Sequence, residues 1–147
     1  MPTVSLKTSI RNPLWFLLLL SSVVVGCGDN ECSSHIGVTN FTIEPNSAEY
    51  SGLNNVGGYE YCYGGYAGVV VIRTSYNQFV AYERACPMDD SSRVSVSAEW
   101  GSSILECPTC HSAFIVEADG MPVDGSATNC PLYQYATDYD GRALWIY

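Results

Sequence analysis

Gly68-Val69-Val70-Val71-Ile72-Arg73, then Ser75-Tyr76-Asn77, then Gln78-Phe79-Val80-Ala81-Tyr82 is the stretch that decides the fold. An unbroken β-branched run suits a strand buried on both faces, because alternate side chains then meet an apolar layer on either side. The Ser-Tyr-Asn break turns the chain and the second apolar run returns it, which predicts a hairpin. On its N-terminal side, Phe41-Thr42-Ile43 predicts a first strand. A short Tyr-rich strand through Tyr59-Glu60-Tyr61-Cys62-Tyr63 follows, set between Asn and Gly turns. On its C-terminal side, Val94, Val96 and Ala98 alternate with Ser95, Ser97 and Glu99, the period of a half-buried strand. Ile104-Leu105-Glu106 leads into Cys107, Phe114-Ile115-Val116 follows, and Asp119-Gly120 ends that stretch as a turn. Tyr133 and Tyr135 share one strand face, and Asp140-Gly141 turns the chain into a closing strand, Ala143 to Tyr147. Beyond the first thirty or so residues no segment sustains a 3.6-residue period. Short strands without intervening helices predict an all-β antiparallel sandwich or barrel.

The chain has 147 residues, 47% hydrophobic and 14% charged, which suits one globular domain and excludes a multidomain enzyme. Lys7 and Arg11 precede an apolar run from Leu14 to Leu20 that ends at Gly26-Cys27. A basic start, a short apolar stretch and a small residue before the cut predict a secretory signal over residues 1–26. The run is shorter than the ~20 residues of a spanning helix. Val24-Val25-Gly26-Cys27 resembles a bacterial lipobox. That resemblance implies that Cys27 is acylated and becomes the first residue of the mature protein; the alternative is a plain secretory peptide with an ordinary Cys27. Residues 27–40 then form a lipidated tether and residues 41–147 the β domain. The expected location is the bacterial cell envelope, lipid-anchored, at the outer membrane on its periplasmic face or at the cell surface.

After residue 26 the basic residues are Arg73, Arg84, Arg93 and Arg142, without a lysine, against all 15 acidic residues. This balance repels phosphate backbones, so nucleic acid is excluded as a partner. Contact with the membrane is expected through the acyl chains on Cys27. Cys32, Cys62, Cys86, Cys107, Cys110 and Cys130 remain, an even count compatible with three disulfides in an oxidising compartment. A disulfide is the default expectation for Cys62 and Cys130, and Cys32 in the tether is available to pair with a domain cysteine.

Two cysteine loops carry the sharper expectation. Cys86-Pro87-Met88-Asp89-Asp90 leaves the strand Phe79–Tyr82, and Cys107-Pro108-Thr109-Cys110-His111-Ser112-Ala113-Phe114 joins two later strands. Loops at hairpin tips project side chains beyond the sheet and can face each other across a metal. Together with the hairpin that delivers the first loop, and with Asp119-Gly120-Met121-Pro122-Val123-Asp124-Gly125 and Pro131-Leu132 after the second, this pattern resembles the Rieske iron–sulfur domain over roughly residues 56–147. The resemblance implies a Rieske-like antiparallel β-sandwich with a small cluster-binding lobe, and a 2Fe–2S cluster serving electron transfer.

A Rieske cluster takes one Cys and one His from each loop. Here Cys86 and Cys107 match, while Met88 and Cys110 stand at the two His positions, and His111 follows one residue late. One reading is a 2Fe–2S cluster on Cys86, Cys107 and Cys110, with Met88, His111 or Cys130 as the fourth ligand. In another, zinc occupies the same cysteine set. A third is a cluster-free structural or interaction lipoprotein whose cysteines form disulfides. Cys107-Pro108-Thr109-Cys110 is also a C-x-x-C, but no helix follows to activate a thiol. Without a Ser-His-Asp order, a phosphate-binding glycine loop or a paired-carboxylate setting, an electron carrier or binding protein is expected rather than an enzyme. Its redox or envelope partner is not identified by the sequence.

Overall fold

The structure is a computed structural model that describes Cys32 and residues 37–147. The signal segment, Cys27 and most of the tether lie outside the described residues. Eleven strands follow in order: β1 (Phe41–Ile43), β2 (Tyr59–Cys62), β3 (Val69–Ser75), β4 (Gln78–Glu83), β5 (Ser95–Ser97), β6 (Gly101–Glu106), β7 (Ala113–Ile115), β8 (Met121–Pro122), β9 (Gln134–Tyr135), β10 (Thr137–Tyr139) and β11 (Leu144–Ile146). Among the described residues the helical elements are two short 3₁₀ turns, Ser51–Leu53 and Val116–Ala118. The fold is all-β, and every strand pairing is antiparallel.

Three sheets form, in the orders β1-β11-β10, β2-β3-β4-β9 and β5-β6-β7-β8. The second is the central layer, and β3 explains why. Its side chains alternate, so Val69 and Val71 enter one core with Ile43, Leu53, Leu144 and Ile146. Val70 and Ile72 enter the other, with Val94, Leu105, Phe114 and Val116. Residues 69–72 are all at most 2% exposed, as the continuous β-branched run predicts. Each such side chain contributes roughly 1.5–3 kcal/mol on burial, so one run of sequence joins the two cores. β4 pairs with β3 from Val69↔Glu83 to Arg73↔Phe79, with a register shift before Ser75↔Gln78.

Two expected strands end early. Val94 is buried and Val96 half-buried, but the register of β5 on β6 shifts between Val96 and Ser97; Ala98 therefore falls outside the strand and is exposed. Val116 leaves β7 and opens a 3₁₀ turn, because Asp119 (φ 53°) and Gly120 (φ 72°) reverse the chain in the left-handed region. The disulfide expected at Cys130 is present, and the one expected at Cys62 is corrected. Cys32 bridges Cys130, while Cys62, Cys86, Cys107 and Cys110 are free thiols.

Candidate metal centre

The first loop starts at the end of β4. Ala85 forms a bridge to Arg93, and the Cys86 amide donates to the Ser92 carbonyl at 3.0 Å. Within this closed loop the Asp89 amide donates back to the Cys86 carbonyl. The Asp89 carboxylate accepts hydrogen bonds from the Ser91 amide, the Ser91 hydroxyl and the Ser92 hydroxyl. Those bonds hold Asp89 below the usual carboxylate range. Asp89 therefore ties the loop together from its solvent-facing edge.

The loop's root is fixed by a second carboxylate. Glu83 is 1% exposed. Its Oε1 accepts the Ala67 and Ala85 amides, and its Oε2 accepts the Tyr66 amide and the Tyr135 hydroxyl. Ala85 directly precedes Cys86, so this buried acid ties the first cysteine loop to the β2–β3 connection and to β9. A buried carboxylate needs such a set of donors to offset its lost hydration. Nothing in the local pattern distinguished Glu83 from a surface acid at a strand end.

The second loop closes β6 onto β7. The Cys107 amide donates to the Ser112 carbonyl at 2.9 Å, and the His111 amide donates to the Cys107 carbonyl at 3.0 Å. His111 takes the left-handed conformation, φ 57°, an uncommon one for a side chain with a Cβ. Ser112 is fully buried; its hydroxyl oxygen accepts from the Cys110 thiol at 3.2 Å and from the Ala127 amide at 3.1 Å. The two loops touch directly through the hydroxyls of Ser92 and Thr109.

Between them stand three sulfurs. Cys86, Cys107 and Cys110 place their Sγ atoms within 4.8 Å of one another, and Cys86 and Cys110 are 3.5 Å apart. Cys86 and Cys107 are each 1% exposed and belong to the core that contains Val94, Leu105 and Phe114, with Cys110 packed against it. Burial pushes the Cys86 thiol up to about 12, against the pull of the Met88 and Asp89 amides on its sulfur. At Cys110 burial acts in the same direction, but the hydrogen bonds that the Ser112 hydroxyl and amide and the neighbouring thiols give to its thiolate form outweigh it and lower its pKa.

The four positions weighed as fourth ligand or partner separate clearly. Met88 is 58% exposed, and His111 is exposed and stands apart from the sulfur group. Cys130 is committed to its bridge with Cys32, so its sulfur is not a free thiolate. Cys62 is a half-buried thiol at the end of β2, raised to about 11 by burial and by the nearby Glu60.

No protein-family model matches the chain, and no curated protein matches it. Among solved structures it is similar to the ferredoxin of carbazole 1,9a-dioxygenase from Nocardioides aromaticivorans IC177. The identity is 21% and the TM-score 0.46, over 63% of this chain and 86% of that one.

Proposed function

We propose that this protein is a metal-binding β domain carried on the bacterial envelope, and that the thiolates of Cys86, Cys107 and Cys110 hold the metal. The observation that carries the reading is the gathering of three sulfurs within 4.8 Å at the contact of two hydrogen-bonded loops. Zinc–thiolate bonds of about 2.3 Å in a tetrahedron set neighbouring sulfurs roughly 3.8 Å apart. The 3.5 Å between Cys86 and Cys110 is close to that spacing. Thiolate-rich sets favour zinc and iron–sulfur chemistry over hard cations. A single tetrahedral ion is therefore compatible with the Cys86–Cys110 spacing, and it would cross-link the two loops and contribute binding energy to folding. Met88 and His111, on the same loops, are the protein donors nearest in sequence for the fourth position.

The second reading is a 2Fe–2S cluster serving electron transfer to an unidentified redox partner. The resemblance of both loops to the Rieske pattern favours it. Its four ligands would divide between two irons, so the three sulfurs would have to spread and a fourth donor would have to move in from Met88 or His111. Thiolates in place of histidines would draw its potential toward the plant-type ferredoxin range. In both readings Cys27 carries the lipid that attaches the domain to the membrane. Cys27→Ser should move the protein to the soluble fraction, and a wild type that is already soluble with an unmodified N-terminus would overturn the anchor.

The deciding experiment purifies the protein anaerobically from iron-replete and zinc-replete cells and measures metal, inorganic sulfide, visible absorption and free thiols. About one zinc or iron per chain without sulfide supports the single ion. Iron and sulfide at about two each per chain, with visible charge-transfer bands, support the cluster. Metal-free protein from both cultures overturns both readings and leaves the interaction lipoprotein.

A further inference from the structure

A second candidate site is lined by none of the three sulfur-bearing residues. A cleft of about 500 Å³ opens between the β2–β3 connection and the arginines Arg84 and Arg93. Tyr61, Tyr63 and Tyr66 also line it. We propose that this cleft binds a small organic oxyanion, a carboxylate or phosphate ester carried on an aromatic body.

The first argument is charge. Acidic residues outnumber basic ones 15 to 6 in the whole chain, yet two arginines share this one cleft. Neither is in an ion pair among the described residues, where the salt bridge is Arg142 with Glu44. A cleft lined by one sign of charge concentrates counter-ions of the other sign.

The second argument is preorganisation. The Arg84 guanidinium carbon sits 4.0 Å from the centroid of the Tyr61 ring, and its Nε donates to the Val94 carbonyl at 3.0 Å. Tyr61 is itself held, because its hydroxyl accepts the Val96 amide at 2.9 Å. One face and one nitrogen of the guanidinium are thus fixed, and the Nη groups make no hydrogen bond within the described residues. A stacked, oriented fork with free donors matches a carboxylate or phosphate in two-point contact.

The third argument is the opposite wall. Gly64 and Gly65 have φ of 139° and 62°, and a Cβ on Gly65 would stand 2.3 Å from Glu83 Oε2. Glu83 holds this turn through the Tyr66 and Ala67 amides. The turn is therefore a fixed wall that presents Tyr63, fully exposed. Exposed tyrosines offer ring faces at little conformational-entropy cost, which is why the anion's body is assigned an aromatic character.

The test titrates the purified, isotope-labelled protein at low ionic strength with benzoate, phenyl phosphate and benzyl alcohol, following backbone amide shifts. Benzoate or phenyl phosphate should shift Gly64, Gly65 and Gly68, and the tighter of the two identifies the headgroup. Benzyl alcohol, which has the ring without the charge, should not. Arg93 is exposed, so Arg93→Gln leaves the fold intact and should weaken binding about tenfold, the loss of a charge-assisted hydrogen bond. Arg142→Gln removes the same charge elsewhere and should leave affinity unchanged. Absence of shifts with both anions, equal binding by Arg93→Gln, or an equal loss in Arg142→Gln would each overturn the proposal.

Discussion

Cys86 Sγ and Cys110 Sγ stand 3.5 Å apart although 24 residues separate them. They are brought together by the β5–β6 hairpin, which carries the chain out from the first loop and back to the second. This spacing is compatible with two fates for the pair, a shared metal or a disulfide, and the two exclude each other because a bridged sulfur is a poor thiolate ligand.

That exclusion gives the first prediction. In metal-free protein treated with diamide, the Cys86 and Cys110 thiols should lose two protons and two electrons to the reagent and form one disulfide. Peptide mapping should recover Cys86 linked to Cys110 and Cys107 as a free thiol. Prior loading with zinc should suppress the linkage. Recovery of a Cys107–Cys110 pair instead, or the same yield with zinc present, would overturn this prediction.

The second prediction concerns Glu83, whose two oxygens each accept two donors. Glu83→Gln replaces one acceptor oxygen with an amide nitrogen: at the Oε1 position it orphans the Ala67 and Ala85 amides, and at the Oε2 position it orphans the Tyr66 amide while the Tyr135 hydroxyl turns to the Gly37 carbonyl. Urea denaturation should register a loss of about 3 kcal/mol. Tyr135→Phe removes one donor and leaves three, and should cost about 1–2 kcal/mol. If Tyr135→Phe proves the more damaging, the carboxylate is not the hub of this network.

Such a network was not legible in the sequence, and neither was the fate of the fourth ligand. What could be read was local. The run Val69–Ile72 specified a doubly buried strand, and Asp140-Gly141 specified the turn before β11. The spacing of Cys86-Pro87 and Cys107-Pro108-Thr109-Cys110 specified two loops at neighbouring hairpin ends. The unread part depends on contacts between distant residues. A disulfide is expected at Cys130 and a partner for Cys32, but no spacing rule selects one for the other. His111 sits in a left-handed turn that closes the second loop, and period and composition carry no trace of that. Glu83 looks like any acid beside an arginine until the β2–β3 connection folds over it.

The third prediction follows from two buried phenols. Burial, with a smaller contribution from the Asp119 charge, pushes Tyr82 up to about 12 from an ordinary value of 10.0; its hydroxyl donates to the Val116 carbonyl at 2.8 Å. Burial and the Glu83 carboxylate raise Tyr135 as well. The unfolded chain gives up these protons first, so the stability they represent is complete below pH 10 and falls as pH rises toward 12. Thermal denaturation across that window should show a declining midpoint, and Tyr82→Phe should flatten the decline. A pH-independent midpoint between 10 and 12 would mean that the phenols titrate alike in both states.

The last prediction concerns the bridge between Cys32 and Cys130, which spans 98 residues. Cross-linking the chain over so long a loop restricts the unfolded ensemble, and the entropic model assigns such a closure about 3–5 kcal/mol. It also ties the described end of the tether to the loop that precedes β9. The adjoining segment makes close contact with the domain: the Tyr135 hydroxyl lies 3.1 Å from the Gly37 carbonyl. The double variant Cys32→Ser with Cys130→Ser should therefore lower stability by that amount in denaturant titrations. It should leave metal content and the reactivity of Cys86, Cys107 and Cys110 unchanged, because the bridge and the sulfur group use different cysteines. Should the variant instead lose its metal, Cys130 takes part in the metal centre after all, and the separation between a structural bridge and a functional thiol group would have to be withdrawn.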